Sequence, residues 1–163
     1  KIENITIIGW LHTSACLIAI IAGAFALFAV KGSLIHRKCG RWYIYTMVAT
    51  NLSALLIYPN GVFNIFHWMA LGTMALLFLG WYAAPRQRSV TWANTHLSCM
   101  IWSYYMLIGG LINEFFLRVP LLEQFSPFLD SDGVIFGMIH TVVMLIFVVL
   151  WAKFLSRTTR LFK

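Results

Sequence analysis

The chain has 163 residues, of which 61% are hydrophobic, 16% aromatic and only 10% charged, with a formal net charge of +7. A soluble domain carries about 25% charged residues, and a disordered one is poorer still in apolar groups, so both classes are excluded. The expectation is one integral membrane domain over residues 1–163.

A helix crossing the hydrocarbon core needs about 20 largely apolar residues. Five stretches meet that need: about residues 4–30, 42–58, 62–83, 91–113 and 133–155. The first is too long for a signal-peptide core and is read as a retained span ended by Lys31-Gly32. The second stops at Pro59-Asn60-Gly61, a tight turn that makes spans two and three an antiparallel hairpin. The third stops before Pro85. Between spans four and five, residues 114–131 carry many Phe and Leu side chains, as in a segment lying among lipid headgroups and broken near Pro120. The fold class is therefore all-α, an integral membrane bundle of five transmembrane helices.

The charges orient this bundle. Lys31, Arg37, Lys38 and Arg41 follow the first span, Arg86 and Arg88 the third, and Lys153, Arg157, Arg160 and Lys163 the fifth. With five spans these ten basic residues share one side, while Lys1 and Arg118 fall on the other with all five acids. The positive-inside rule then places the N-terminus outside and the C-terminus in the cytoplasm, as in a bacterial inner-membrane protein. The excess positive charge is topogenic and suits anionic lipid headgroups, with Lys31, Arg37, Lys38 and Arg41 as the contact residues. No aromatic-interleaved basic groove points to nucleic acid.

Several chemistries lack their residues. No span contains Asp or Glu, which carboxylate proton relays and intramembrane aspartyl proteases require. There is no glycine-rich phosphate loop, no Gly-x-Ser-x-Gly and no His-Glu-x-x-His. Cys16, Cys39 and Cys99 are isolated, with no Cys-x-x-Cys pair, and Cys16 and Cys99 read as small buried apolar residues.

What the spans do contain is histidine. His12, His67, His96 and His140 lie in spans one, three, four and five, and His36 follows the first span. An imidazole in hydrocarbon is costly unless it finds a partner. In the expected topology His12, His67 and His140 lie one to two turns below the outer surface, and His96 near the inner one, where His36 could join it. Ala15, Ala19, Gly23 and Ala26 share the face of His12, a small-residue stripe of the kind that packs helices closely. Gly133 and Gly137 share the face of His140, Cys99, Ser103 and Gly110 that of His96, and Met74, Met100 and Met144 lie on the faces of His67, His96 and His140.

Four readings fit these imidazoles. The first is haem b, with axial ligands from facing helices: two of His12, His67 and His140 for an outer haem, and His96 with His36 for an inner one. The second is zinc or copper held by His12, His67 and His140. The third is a Mg-tetrapyrrole on one imidazole. The fourth is hydrogen bonding between helices alone. The leading expectation is electron transfer through haem b, linked to a quinone that the polar stripe Thr46, Thr50, Asn51 and Ser53 could touch. The rival is a non-enzymatic accessory subunit, in a larger membrane complex or a homo-oligomer.

The segment Lys31-Gly32-Ser33, His36-Arg37, Gly40-Arg41, Tyr43 resembles a pattern of a family of bacterial polytopic membrane proteins known only as a domain of unknown function. The resemblance takes in His12, the Phe66-His67 pair and Trp92-x-x-x-His96, over about residues 9–117. It implies a helical membrane bundle with repeated histidines and brings no activity. The likeness to cytochromes b is one of architecture.

Overall fold

The computed structural model describes residues 7–57, 63–86, 89–119 and 133–161. They form five α-helices: α1 (Ile7–Phe28), α2 (Leu34–Leu56), α3 (Ile65–Ala83), α4 (Val90–Arg118) and α5 (Val134–Leu161). A 3-10 turn over Ala84–Arg86 follows α3, and there is no strand among the described residues. Three helical segments are long and apolar enough to cross a membrane: Ile7–Phe28, Ile65–Arg86 and Val134–Leu161. The expected second and fourth spans are helical too, but α2 and α4 carry too many Arg, Lys, Thr, Asn and Ser side chains to meet the same standard of hydropathy. The expected Pro59-Asn60-Gly61 turn and the break at Pro120 lie outside the described residues.

Helix ends depart from the expected span limits wherever charge and helix do not stop together. α2 starts at Leu34, eight residues before the apolar stretch that marked it. Ser33 caps it, its hydroxyl oxygen accepting the N–H of His36 at 3.1 Å, and Gly32 turns the chain at φ +78°, a left-handed conformation that glycine adopts without strain. Arg37, Lys38 and Arg41 are therefore helical residues; Arg and Lys are good helix formers, and their polarity ends the apolar stretch without ending the helix. In the same way α4 continues past Asn113 to Arg118, and α5 continues to Leu161 through Lys153, Arg157 and Arg160.

The chain divides into two compact units, residues 1–82 and 83–163. In the first, α1 packs along α2. Ala19, Ala22 and Gly23 are buried on α1, and Tyr43, Met47, Thr50 and Asn51 on α2. On α3 the buried residues His67, Ala70, Thr73 and Leu77 recur at helical spacing and form one stripe. In the second unit α4 and α5 are antiparallel neighbours. Trp151 meets Ser98 and Trp102, Phe147 meets Tyr105, His140 meets Asn113, and Phe136 meets Phe116, in opposite order along the two helices.

Burial is inverted relative to a water-soluble protein. Thr46, Thr73, Ser103 and Asn51 are buried, and each donates to a carbonyl of its own helix at 2.6–2.9 Å. Val149 on α5 is 65% exposed, and Val142, Leu145 and Ile146 beside it are exposed as well. A continuous aliphatic face of this kind is a surface for lipid chains.

Candidate functional site

His12 is held from α2. Its Nδ1 lies 3.1 Å from the carbonyl oxygen of Thr50 and 2.9 Å from Ser53 Oγ. The Ser53 hydroxyl donates to Ala49 and Thr50 carbonyls, so its oxygen accepts from the ring. Both partners being acceptors, Nδ1 carries the proton and Nε2 the lone pair. Cys16, one turn further along α1, places Sγ 3.5 Å from that Nε2, where the thiol donates. Cys16 is thus a partner of His12, a role that an isolated cysteine in the sequence did not announce.

His67 is 1% exposed. Asn64 ends the preceding segment and caps α3, its Oδ1 accepting the N–H of Phe66 at 2.9 Å. The same oxygen lies 2.9 Å from His67 Nδ1, and the Asn64 N–H lies 3.1 Å from it. Nδ1 thus meets the Asn64 backbone donor and the Asn64 side-chain oxygen together, and the ring is anchored through that nitrogen with Nε2 turned into the interior. Phe63 stacks on the ring at 4.7 Å between centroids.

His140 is arranged the other way round. Its Nε2 lies 3.0 Å from Asn113 Oδ1 on α4, so this ring donates from Nε2. Phe136 packs on it at 4.4 Å, and Gly109 of α4 leaves room for its Cε1 edge. His140 ties α5 to α4 through Nε2, which leaves the lone pair on Nδ1. His96 is half-buried on α4.

His12, His36 and His67 belong to the first unit, His96 and His140 to the second. Among the described residues no three His, Cys, Asp or Glu side chains are gathered as a metal ion requires.

The connector between α1 and α2 accounts for much of the Lys-Gly-Ser-x-x-His pattern. Lys31 Nζ lies 3.3 Å from the carbonyl oxygen of Ala26 and 2.5 Å from that of Leu27, capping the C-terminus of α1 where the helix dipole favours a cation. His36 Nδ1 donates to the Ala26 carbonyl at 2.8 Å. Lys31, expected at lipid headgroups, is an exposed helix cap, its pKa lowered by the partial desolvation of its ammonium. Arg37, Lys38 and Arg41 are exposed on the first turns of α2.

His36 precedes the apolar part of α2. Burial lowers its pKa, the bond to Ala26 raises it, and the Lys31 charge lowers it, with a net fall below the ordinary histidine value. The fold thus favours the neutral ring. Its contribution is complete above the unfolded value near 6.5 and is lost as pH falls through that value and the lower folded one. Thermal unfolding in detergent should show a melting temperature that drops below about pH 6.5, and His36→Gln should flatten that drop. An unchanged pH profile in the variant would remove His36 as its source.

Together the fold and these rings define an all-helical membrane protein with anchored imidazoles in its interior. The chain belongs to the family described as Predicted membrane protein (DUF2306), whose model matches residues 9–152. The match extends beyond the residues 9–117 that carried the resemblance and takes in α5 with His140. No curated protein and no solved structure matches the chain.

Proposed function

We propose that this protein is an electron carrier of the bacterial inner membrane that holds haem b between Nε2 of His12 and Nε2 of His67. One observation carries the proposal: both rings are anchored through Nδ1, His12 by Thr50 and Ser53 and His67 by Asn64, so that each turns Nε2 away from its anchor. Histidines that ligate a metal almost always donate their other N–H in this way, to a carbonyl or a similar acceptor. In the proposed five-span topology, N-terminus outside and C-terminus in the cytoplasm, α1 and α3 enter from the same side. His12 is the sixth residue of α1 and His67 the third of α3, a difference in depth of about 5 Å at 1.5 Å per residue. Two imidazoles at one level could together hold a haem within the bundle.

The haem would supply one-electron chemistry. The chain's own part is to fix two ring orientations through Thr50, Ser53 and Asn64, to keep water from the metal with apolar neighbours such as Phe63, and so to set the reduction potential. Cys16 holds Nε2 of His12 in the structure and would turn away on ligation. Arg37, Lys38 and Arg41 would sit among anionic headgroups on the cytoplasmic side.

The test is an absorption spectrum. Protein purified from haem-replete cells should show a Soret band in the oxidised state and a sharp α-band on reduction, with haem equimolar to chain. A colourless protein that takes up no added haem sinks the proposal and leaves the accessory-subunit reading in its place.

A further inference from the structure

Cys16 is the tenth residue of α1, partly buried about 14 Å along an apolar helix long enough to cross a membrane. Its Sγ lies 3.5 Å from His12 Nε2. A thiol and an imidazole lone pair therefore face each other on one side of the helix. The Nδ1–H of the same ring is held by the Thr50 carbonyl and Ser53 Oγ, the outer support that metal-ligating histidines almost always have.

The spacing suits a metal. With metal–nitrogen and metal–sulfur bonds of about 2.0 and 2.3 Å, tetrahedral to trigonal angles set the two donor atoms about 3.5–3.7 Å apart. His12 and Cys16 already have that separation, because residues four apart on a helix stand one above the other. A third donor stands at the same level. The bonds from His12 to Thr50 and from His36 to Ala26 fix α1 and α2 in antiparallel register, and in that register Met47 is level with Cys16. Met47 is 1% exposed, on the buried face of α2. Imidazole, thiolate and thioether make a donor set for a soft cation.

Charge chooses among such cations. The pair lies in an apolar span, where an uncompensated charge is costly. One thiolate cancels one positive charge, so Cu(I) forms a neutral complex, whereas Zn(II) leaves a positive charge over. Zinc also prefers four ligands drawn from Cys, His and carboxylates, and no three such side chains gather among the described residues. We infer that His12 and Cys16, with Met47, form a Cu(I) site between α1 and α2. On binding, the S–H bond breaks and a sulfur–copper bond forms. Nε2 gives its lone pair to the same ion, the thiol proton leaves for water, and copper stays Cu(I), so no electron moves. A haem on His12 needs the same Nε2. The copper site is therefore that of the haem-free chain and does not rest on the electron-carrier reading.

The probe is Cu(I) itself, titrated without oxygen into the full-length protein in nanodiscs, purified from haem-deficient cells, against the chromogenic chelator bathocuproine disulfonate. One copper per chain is expected. Its affinity should rise about tenfold per pH unit between about pH 6 and 8, because each ion releases one thiol proton. Cys16→Ser changes a single atom and should abolish the binding with an unaltered melting profile, which excludes misfolding as the cause. Met47→Leu, close in volume, should weaken it. Cys39→Ser, on α2, should bind as the parent does. Zn(II) at equal concentration should leave the copper in place. Failure to hold copper against the chelator would overturn the inference. So would copper binding that survives Cys16→Ser, or displacement of the copper by Zn(II). A colourless protein that binds Cu(I) in this way keeps the inference and loses the haem; a red one whose haem-free form does not bind it does the reverse.

Discussion

Under the haem proposal, His67→Ala should remove the sharp reduced α-band from the purified protein, whereas His140→Ala should leave it in place. The two rings differ in which nitrogen is already committed. His67 is anchored at Nδ1 by Asn64 and turns Nε2 into the interior, while His140 uses Nε2 to hold Asn113. Iron at Nε2 keeps the first anchor and would break the second. If His67 holds the haem as proposed, its loss would empty the site or change the iron's ligation, and the spectral change should be complete rather than graded. Asn64→Ala tests the support of the ligand. The ring remains but its orientation is no longer fixed, and haem affinity should fall about 10–100-fold, the usual cost of losing such a partner. His12→Ala should match His67→Ala. Full haem retention in both single variants would show that the iron is held elsewhere, and a loss confined to His140→Ala would move the ligand to α5.

How far the sequence revealed this arrangement depends on the scale considered. The five apolar stretches all lie in helices, and three of these helical segments are long and apolar enough to cross a membrane, where helix formation is obligatory and leaves a long, unambiguous run of residues. The small-residue stripe of α1 was visible for the same reason: Ala19 and Gly23, four apart with His12 about two turns further on, are buried where α1 meets α2. Helix ends were less legible. Hydropathy marks where lipid stops, and Arg37, Lys38 and Arg41 end the apolar run inside a helix that Ser33 had already capped. The roles of the imidazoles were not legible at all. His67 and His140 look alike in sequence, each near the start of an apolar run, and only the position of an asparagine decides which nitrogen is left: Asn64 three residues before its ring, Asn113 on another helix. Nor does a sequence tell Lys31, folded back on the carbonyls of α1, from Arg37, which faces outward.

Ala19→Phe separates α1 from α2 and costs more stability than any exposed substitution on the same helix. Ala19 is 0% exposed, next to Ala22 and Gly23, on the face that leads to His12. In lipid there is little hydrophobic gain from bringing two helices together, so close van der Waals contact and the hydrogen bonds it permits supply the attraction. A benzyl group at this point cannot be accommodated without moving one helix axis, and overpacking of this kind costs about 1–3 kcal/mol or more. The displacement also carries His12 away from the Thr50 carbonyl and Ser53 Oγ, 2.9–3.1 Å bonds that tolerate little lengthening. Stability and ligand orientation should therefore fail together: a lowered melting temperature in detergent, accompanied by loss of haem. Leu17→Phe is the control. Leu17 is 53% exposed, on the side of α1 turned to lipid, and the larger ring meets acyl chains there instead of α2. Its melting temperature and spectrum should match the parent. If Ala19→Phe melts as the parent does and keeps its haem, α1 and α2 do not meet at this face in the folded protein, and the anchoring of His12 from α2 goes with it.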